Sequence, residues 1–121
     1  MRVLIANDAE VESAVLSRLM GTLGHEVVGR APDSGSATVL AARLLPELAI
    51  VDGRLPPEGA LPAISGLRAA APATTVVIVA SLSEIELVRA AVALGAAGAL
   101  RRPFLRSQVE TLLREIFRAP P

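Results

Sequence analysis

The stretch Leu48-Ala49-Ile50-Val51-Asp52-Gly53-Arg54-Leu55-Pro56 decides the fold of this chain. Four consecutive apolar residues end on a carboxylate, and a Gly and a Pro follow closely. A short apolar run bounded by turn residues reads as a strand covered on both faces, as a parallel sheet between two layers of helices demands. Val3-Leu4-Ile5-Ala6, leading into Asn7-Asp8, and Val76-Val77-Ile78-Val79-Ala80, leading into Ser81, repeat the form. Glu26-Val27-Val28-Gly29 and Gly98-Ala99-Leu100 are less regular and suit flanking or edge positions.

Helical patterns fill the intervals. Val11, Val15, Leu19 and Leu23 recur every four residues, with Gly21 and Gly24 where that helix must end. Asp33-Ser34 caps a second helix through Val39, Leu40 and Leu44, closed by Pro46. A third, Gly- and Pro-punctuated, runs from Ala60 to Ala71. Ser83-Glu84-Ile85-Glu86 reads as a capping box opening a fourth, with Leu87, Val88, Ala91, Val92 and Leu94 inward. Val109, Leu112, Leu113, Ile116 and Phe117 mark a last helix that stops before Pro120. Strand and helix thus alternate five times. The pattern predicts an α/β, doubly wound (βα)5 sandwich, a five-stranded parallel sheet with helices on both faces and right-handed crossovers.

Composition narrows the function. The 121 residues suffice for one core, and 52% hydrophobic with 20% charged residues excludes disorder. Twelve basic residues, all Arg, balance twelve acidic ones, so direct binding of nucleic acid by a general cationic surface is not expected. The absence of Cys removes thiolate chemistry and Cys-bound zinc, and the single His25 removes a multi-His metal cage. No signal peptide or membrane-spanning run is visible, so a cytoplasmic chain without membrane contact is the expectation.

In an open parallel sheet, ligands bind beyond the carboxyl ends of the strands, where strand order reverses. Asn7 and Asp8 follow the first strand, Asp52 ends the third, Ala80 and Ser81 close the fourth, and Arg101, Arg102 and Pro103 follow the fifth. If the first and third strands are neighbours, Asp8 and Asp52 converge. At about 4 Å and an effective dielectric near 20, their repulsion is roughly 4 kcal/mol. A shared proton, an arginine or a hard divalent cation such as Mg²⁺ offsets it. Taken singly, Asp8 serves equally well as a helix cap, Asp52 as a loop cap, Arg101-Arg102 as a solvated pair, and Ser81 as a helix-start residue. Joint placement at three strand ends raises Asp8, Asp52 and Arg102 above those readings.

The segments VLIANDAE (3–10), LAIVDGRLP (48–56) and LGAAGALRRPF (94–104), in this order and spacing, resemble the bacterial response-regulator receiver domain over nearly the whole chain. The resemblance implies strand order 2-1-3-4-5, with residues 1–118 as the receiver domain and 119–121 as a tail or the start of a linker. It implies a phosphoryl group taken from a histidine kinase or phosphotransfer protein onto Asp52, with Mg²⁺ bound. Asp8 is then the main metal-binding carboxylate beside Asp52, Arg54 offers its backbone carbonyl, and Asn7 stands at a second acidic position. No enzymatic turnover is implied beyond self-phosphorylation from a phosphodonor and self-dephosphorylation. The Arg102-Pro103 bond falls where the family often has a cis peptide.

The departures are specific. Asn7 removes one charge from the metal site. The family's strand-four Thr or Ser falls on Ala80, with Ser81 one step late and expected on the opposite face. A lost hydroxyl contact to a charged oxygen costs about 1.5–3 kcal/mol. Arg102 replaces the usual Lys with a planar fork, and Ala99 replaces the switch aromatic. Two readings follow. In the first, Asp52 is a working phosphoacceptor that signals through the face of the fourth helix, fifth strand and fifth helix, to a downstream protein target, an output domain or a homodimer partner. In the alternative, the chain is a pseudo-receiver, a phosphorylation-independent interaction module in which Arg54 or Arg102 pairs directly with Asp8 and Asp52.

Overall fold

The computed structural model describes residues 1–118, and within them strands and helices alternate: β1 (Arg2–Ala6), α1 (Glu10–Thr22), β2 (Glu26–Ala31), α2 (Ser34–Leu44), β3 (Leu48–Asp52), α3 (Ala60–Ala70), β4 (Thr75–Ala80), α4 (Ile85–Ala93), β5 (Gly98–Arg101) and α5 (Arg106–Ile116). The strands form one parallel sheet in the order β2-β1-β3-β4-β5. The expected tail at 119–121 lies outside the described residues.

Period-two alternation explains why the central strands are apolar throughout. Val3, Ile5, Leu48, Ile50, Val77 and Val79 belong to one core, with Leu16 and Met20 of α1 and Val109 and Leu113 of α5. Their sequence neighbours Leu4, Ala6, Ala49, Val51, Val76 and Ile78 belong to the other, with Ala37, Ala41, Ile64, Leu67 and Ala91 from α2, α3 and α4. The same alternation carries Asp52 onto the α1/α5 side, continuing the line of Leu48 and Ile50.

Several helix faces differ from expectation. On α1 the buried residues are Ser13, Leu16 and Met20, whereas Val11 and Val15 are 78% and 50% exposed. A strict four-residue step advances about 40° beyond a full turn each time, so such a series winds off any one face. The core line mixes steps of three and four. The helix runs through Gly21, and the chain turns at Gly24, whose φ of +88° suits glycine. Asp33 does cap α2, accepting from the Ser36 N–H at 2.7 Å. Val39 is exposed, and the buried residues of α2 are Ala37 and Ala41.

The capping box at Ser83 is not formed. Glu84 is the N-cap of α4, and its carboxylate turns back to accept from the Ser81 N–H (2.8 Å) and hydroxyl (3.0 Å). That satisfies an amide just past β4 instead of one inside the helix. Ala91 is buried and Leu87 and Val88 half-buried, while Val92 and Leu94 face out. A helix of nine residues meets the sheet along a narrow line. On α5, Phe117 lies past the helix end and is exposed.

Candidate functional site

β1 and β3 pair directly, with Val3 opposite Leu48 and Ala6 opposite Val51, so their carboxyl ends emerge side by side. Asp8, Ala9, Glu12, Asp52, Arg54, Ser81 and Arg102 line one cavity there, of about 360 Å³. A slightly larger cavity, about 400 Å³, opens at the opposite end of the sheet around Met1, His25, Arg114 and Phe117. The smaller one holds the convergent carboxylates, so chemistry rather than volume picks the site.

Asp52 is 4% exposed, the last residue of β3. The turn behind it is closed by Gly53 N–H to Val79 O (2.9 Å), Leu55 N–H to Asp52 O (3.1 Å) and Ala60 N–H to Gly53 O (3.2 Å). Residue 53 must be glycine because of close approach. A Cβ there would stand 2.9 Å from both the Val79 carbonyl oxygen and a Leu87 methyl. Both the Pro56-Pro57 and Arg102-Pro103 peptides are cis.

The dominant contact at Asp52 is cationic. Arg102 Nη2 donates to Asp52 Oδ1 at 2.7 Å. The same guanidinium makes a bidentate pair with Glu12, Nε to Oε2 and Nη2 to Oε1, each 2.7 Å. Asn7 Nδ2 donates to Glu12 Oε1 at 2.7 Å, and Asn7 Oδ1 accepts from the Ala9 N–H at 2.8 Å. The Asn7 amide is therefore committed to α1 and to Glu12. Asp8 is exposed at the rim, as is Arg54, and among the described residues neither forms an ion pair. The expected alternative of an arginine on Asp8 is not what forms: the bidentate partner is Glu12.

Glu12 escaped the sequence reading. The signal available was a carboxylate in the first turn of α1, a position the helix dipole favours, two residues after Glu10. Which of the two faces the cavity depends on how α1 rolls against the sheet, and no local pattern around Glu10 and Glu12 separates them. Ser81 also differs from expectation: it lines the cavity, and the fully buried Ala80 does not. Residue 81 continues the parity of Val77 and Val79, which is that of Asp52. Its hydroxyl is engaged with Glu84 and Ser83. Arg101 is not a free charge, because its Nη1 donates to Ser81 O at 2.6 Å. Ala99 is half-buried and lines a cavity of about 270 Å³ with Leu82, Leu105 and Leu112 at the β5–α5 edge.

The Arg102 fork holds the Glu12 carboxyl below the ordinary glutamate value of about 4.3; burial opposes this, and the Asn7 hydrogen bond and the charges of Arg102 and Arg54 add to it. A carboxyl whose folded pKa is lowered contributes stability that is full above its unfolded value and fades as pH falls through the folded one. The stability gap between wild type and Glu12→Gln is therefore expected to be constant above about pH 5 and to shrink progressively below it. Urea unfolding of both proteins across that range checks this; a gap independent of pH would contradict it.

Asp8 and Asp52, which line the cavity, offer carboxylate oxygens, which are hard donors. That set suits Mg²⁺, which commonly uses one or two carboxylates and keeps several waters. Among the described residues, no three acidic or His side chains cluster closely enough to hold a metal by themselves. Likewise among them, no helix is long and apolar enough to cross a membrane.

Comparison with known proteins agrees with this geometry. Residues 3–114 match the family model for the response regulator receiver domain. The transcriptional regulatory protein PdtaR of Mycobacterium tuberculosis is 35% identical over 103 residues, covering 85% of this chain and 50% of PdtaR. The chain thus spans about half the length of that relative. The chemotaxis protein CheY of Thermotoga maritima is 25% identical over 115 residues, covering 95% of this chain and 96% of CheY. Among solved structures, the receiver domain of NarL from Mycobacterium tuberculosis superposes with a TM-score of 0.86 at 27% identity, over 98% and 97% of the two chains. The receiver domain of sensor histidine kinase PA1611 from Pseudomonas aeruginosa, with a magnesium ion coordinated in its active-site cleft, gives 0.85 at 20% identity over 98% of each.

Proposed function

The chain belongs to the response regulator receiver domain family of two-component signalling, and from that premise we propose that it is a phosphoacceptor whose acceptor is Asp52. One observation carries the reading: a buried carboxylate at the sheet's carboxyl edge has a guanidinium 2.7 Å away and a cavity open beside it. An Asp52 oxygen attacks phosphorus, and the bond from phosphorus to the donor breaks with its electron pair leaving on the donor. The donor is a histidine kinase or phosphotransfer protein, whose leaving imidazole nitrogen takes up a proton. The acyl phosphate returns to carboxylate and phosphate when water attacks phosphorus.

Asp8, Asp52 and the Arg54 carbonyl would hold Mg²⁺, which supplies charge neutralisation for the phosphoryl oxygens. Arg102 contributes fixed positive charge next to the transferring group. Phosphorylation adds about −1.5 to −2 charge at the site, and the output is a change in the α4–β5–α5 face. Exposed Leu82, Ile85, Val92 and Leu105 on or beside that face suit a downstream protein, an output domain or a second copy.

A second reading, the pseudo-receiver, is favoured by the internal cation: Arg102 already pairs with both Asp52 and Glu12. Incubation with acetyl phosphate and Mg²⁺, followed by intact mass, separates the two. The acceptor reading expects one phosphoryl adduct on wild type and none on Asp52→Asn. An unlabelled wild type beside a labelled control receiver would leave only the interaction module.

A further inference from the structure

The geometry points to Glu12 as a positioning residue for phosphoryl transfer, the group that sets which edge of the Arg102 guanidinium faces Asp52. This rests on Asp52 being the acceptor. A guanidinium offers two parallel pairs of N–H bonds, one from Nε and Nη2 and one from Nη2 and Nη1. Glu12 takes the first pair, with two contacts of 2.7 Å. The remaining hydrogen of Nη2 goes to Asp52 Oδ1, also at 2.7 Å. Among the described residues Nη1 has no hydrogen-bond partner, so the Nη2–Nη1 edge is left facing the acceptor side. Once the phosphoryl group is on Asp52, the Nη2 hydrogen now given to Oδ1 and a hydrogen of Nη1 together match two phosphoryl oxygens, the bidentate recognition for which arginine is suited.

Glu12 is itself held from two directions. Asn7 donates to its Oε1, and the first turn of α1 places a carboxylate in the positive end of the helix dipole. An aspartate at position 7 would remove this donor and set two carboxylates against each other. Asn7 and Glu12 therefore work as a pair. The negative charge opposing Arg102 is supplied by α1, and the amide at the end of β1 orients it. A lysine at position 102 would have no edge to select, so the role of Glu12 is specific to the fork.

The test is a pair of variants in two backgrounds, with phosphoryl incorporation from acetyl phosphate and Mg²⁺ followed by intact mass over time. Glu12→Gln is expected to slow labelling about tenfold in the wild-type background, as loss of orientation at a reacting centre does. In the Arg102→Lys background the same substitution is expected to change the rate by less than about twofold, because the coupling between the two side chains is gone. A second readout needs neither donor nor metal: the Arg102 Nε–H resonance, identified by its disappearance in Arg102→Lys, is protected from exchange in wild type and exchanges freely in Glu12→Gln. An unchanged or faster rate in Glu12→Gln, or an equal loss in both backgrounds, overturns the inference while leaving the acceptor intact. Absence of any adduct on wild type overturns both together.

Discussion

Arg102→Ala is expected to slow phosphorylation of Asp52 by about a hundredfold and to destabilise the fold by about 2 kcal/mol. The rate follows from the removal of the one cation that, among the described residues, lies within hydrogen-bonding distance of the acceptor, where electrostatic donors are worth most. The stability cost has a separate origin. Asp52 is buried, and without Arg102 its carboxylate and that of Glu12 remain on one cavity with only the exposed Arg54 at its rim, which among the described residues forms no ion pair with either. Breaking a fully buried pair costs about 3–5 kcal/mol. Here the Arg102 and Glu12 side chains are 29% and 22% exposed, so water screens part of the penalty and the lower figure applies. Arg102→Lys should recover part of the rate, since an ammonium still supplies charge, but not the two-point hold on Glu12. Acetyl phosphate labelling and urea unfolding of the three proteins measure both effects. Alanine and wild-type rates within a factor of about three would remove Arg102 from the mechanism.

Ile50→Ala is expected to cost about 4 kcal/mol, within the range for truncating a buried isoleucine. Ile50 has no exposed surface and sits on β3, opposite Ile5 of β1 and Val77 of β4, in the middle of the sheet. Both neighbouring strands are held by their own ladders, so the surroundings collapse little and most of the cavity persists. For a domain of ordinary stability, about 5–15 kcal/mol, that is a large share of the total. Val15→Ala on α1 is the contrasting variant. Half-exposed, it should change stability by less than about 0.5 kcal/mol. Urea midpoints with unchanged slopes report both. Similar costs for the two would mean that the four-residue series on α1, not the line through Leu16 and Met20, packs on the sheet.

The strands were legible because their chemistry is local. Residues 48–51 and 3–6 are buried on both faces, so every residue in those runs had to be apolar, and no knowledge of neighbours was needed. The site carboxylates Asp8 and Asp52 were legible for a related reason. A charged residue directly after such a run can only sit at the sheet's edge, and topology then brings those edges together. The helix faces were less so. Whether Val11 or Ser13 turns inward depends on how α1 rolls against β1 and β2, and a series stepping by four drifts about 40° per step, so it marks no single face.

The sequence by itself determined the layered α/β order, the parallel sheet and the placement of Asp8, Asp52 and Arg102 at strand ends, because each follows from patterns a few residues long. Only the tertiary structure decided that the Arg102 guanidinium is shared between Asp52 and Glu12, that Ser81 rather than Ala80 reaches the cavity, and that Glu84 folds back onto Ser81. Those contacts join groups on different elements, 90 residues apart for Glu12 and Arg102. Hydrogen-bond geometry between such groups is fixed by the roll and spacing of packed elements, which no local pattern of residues encodes.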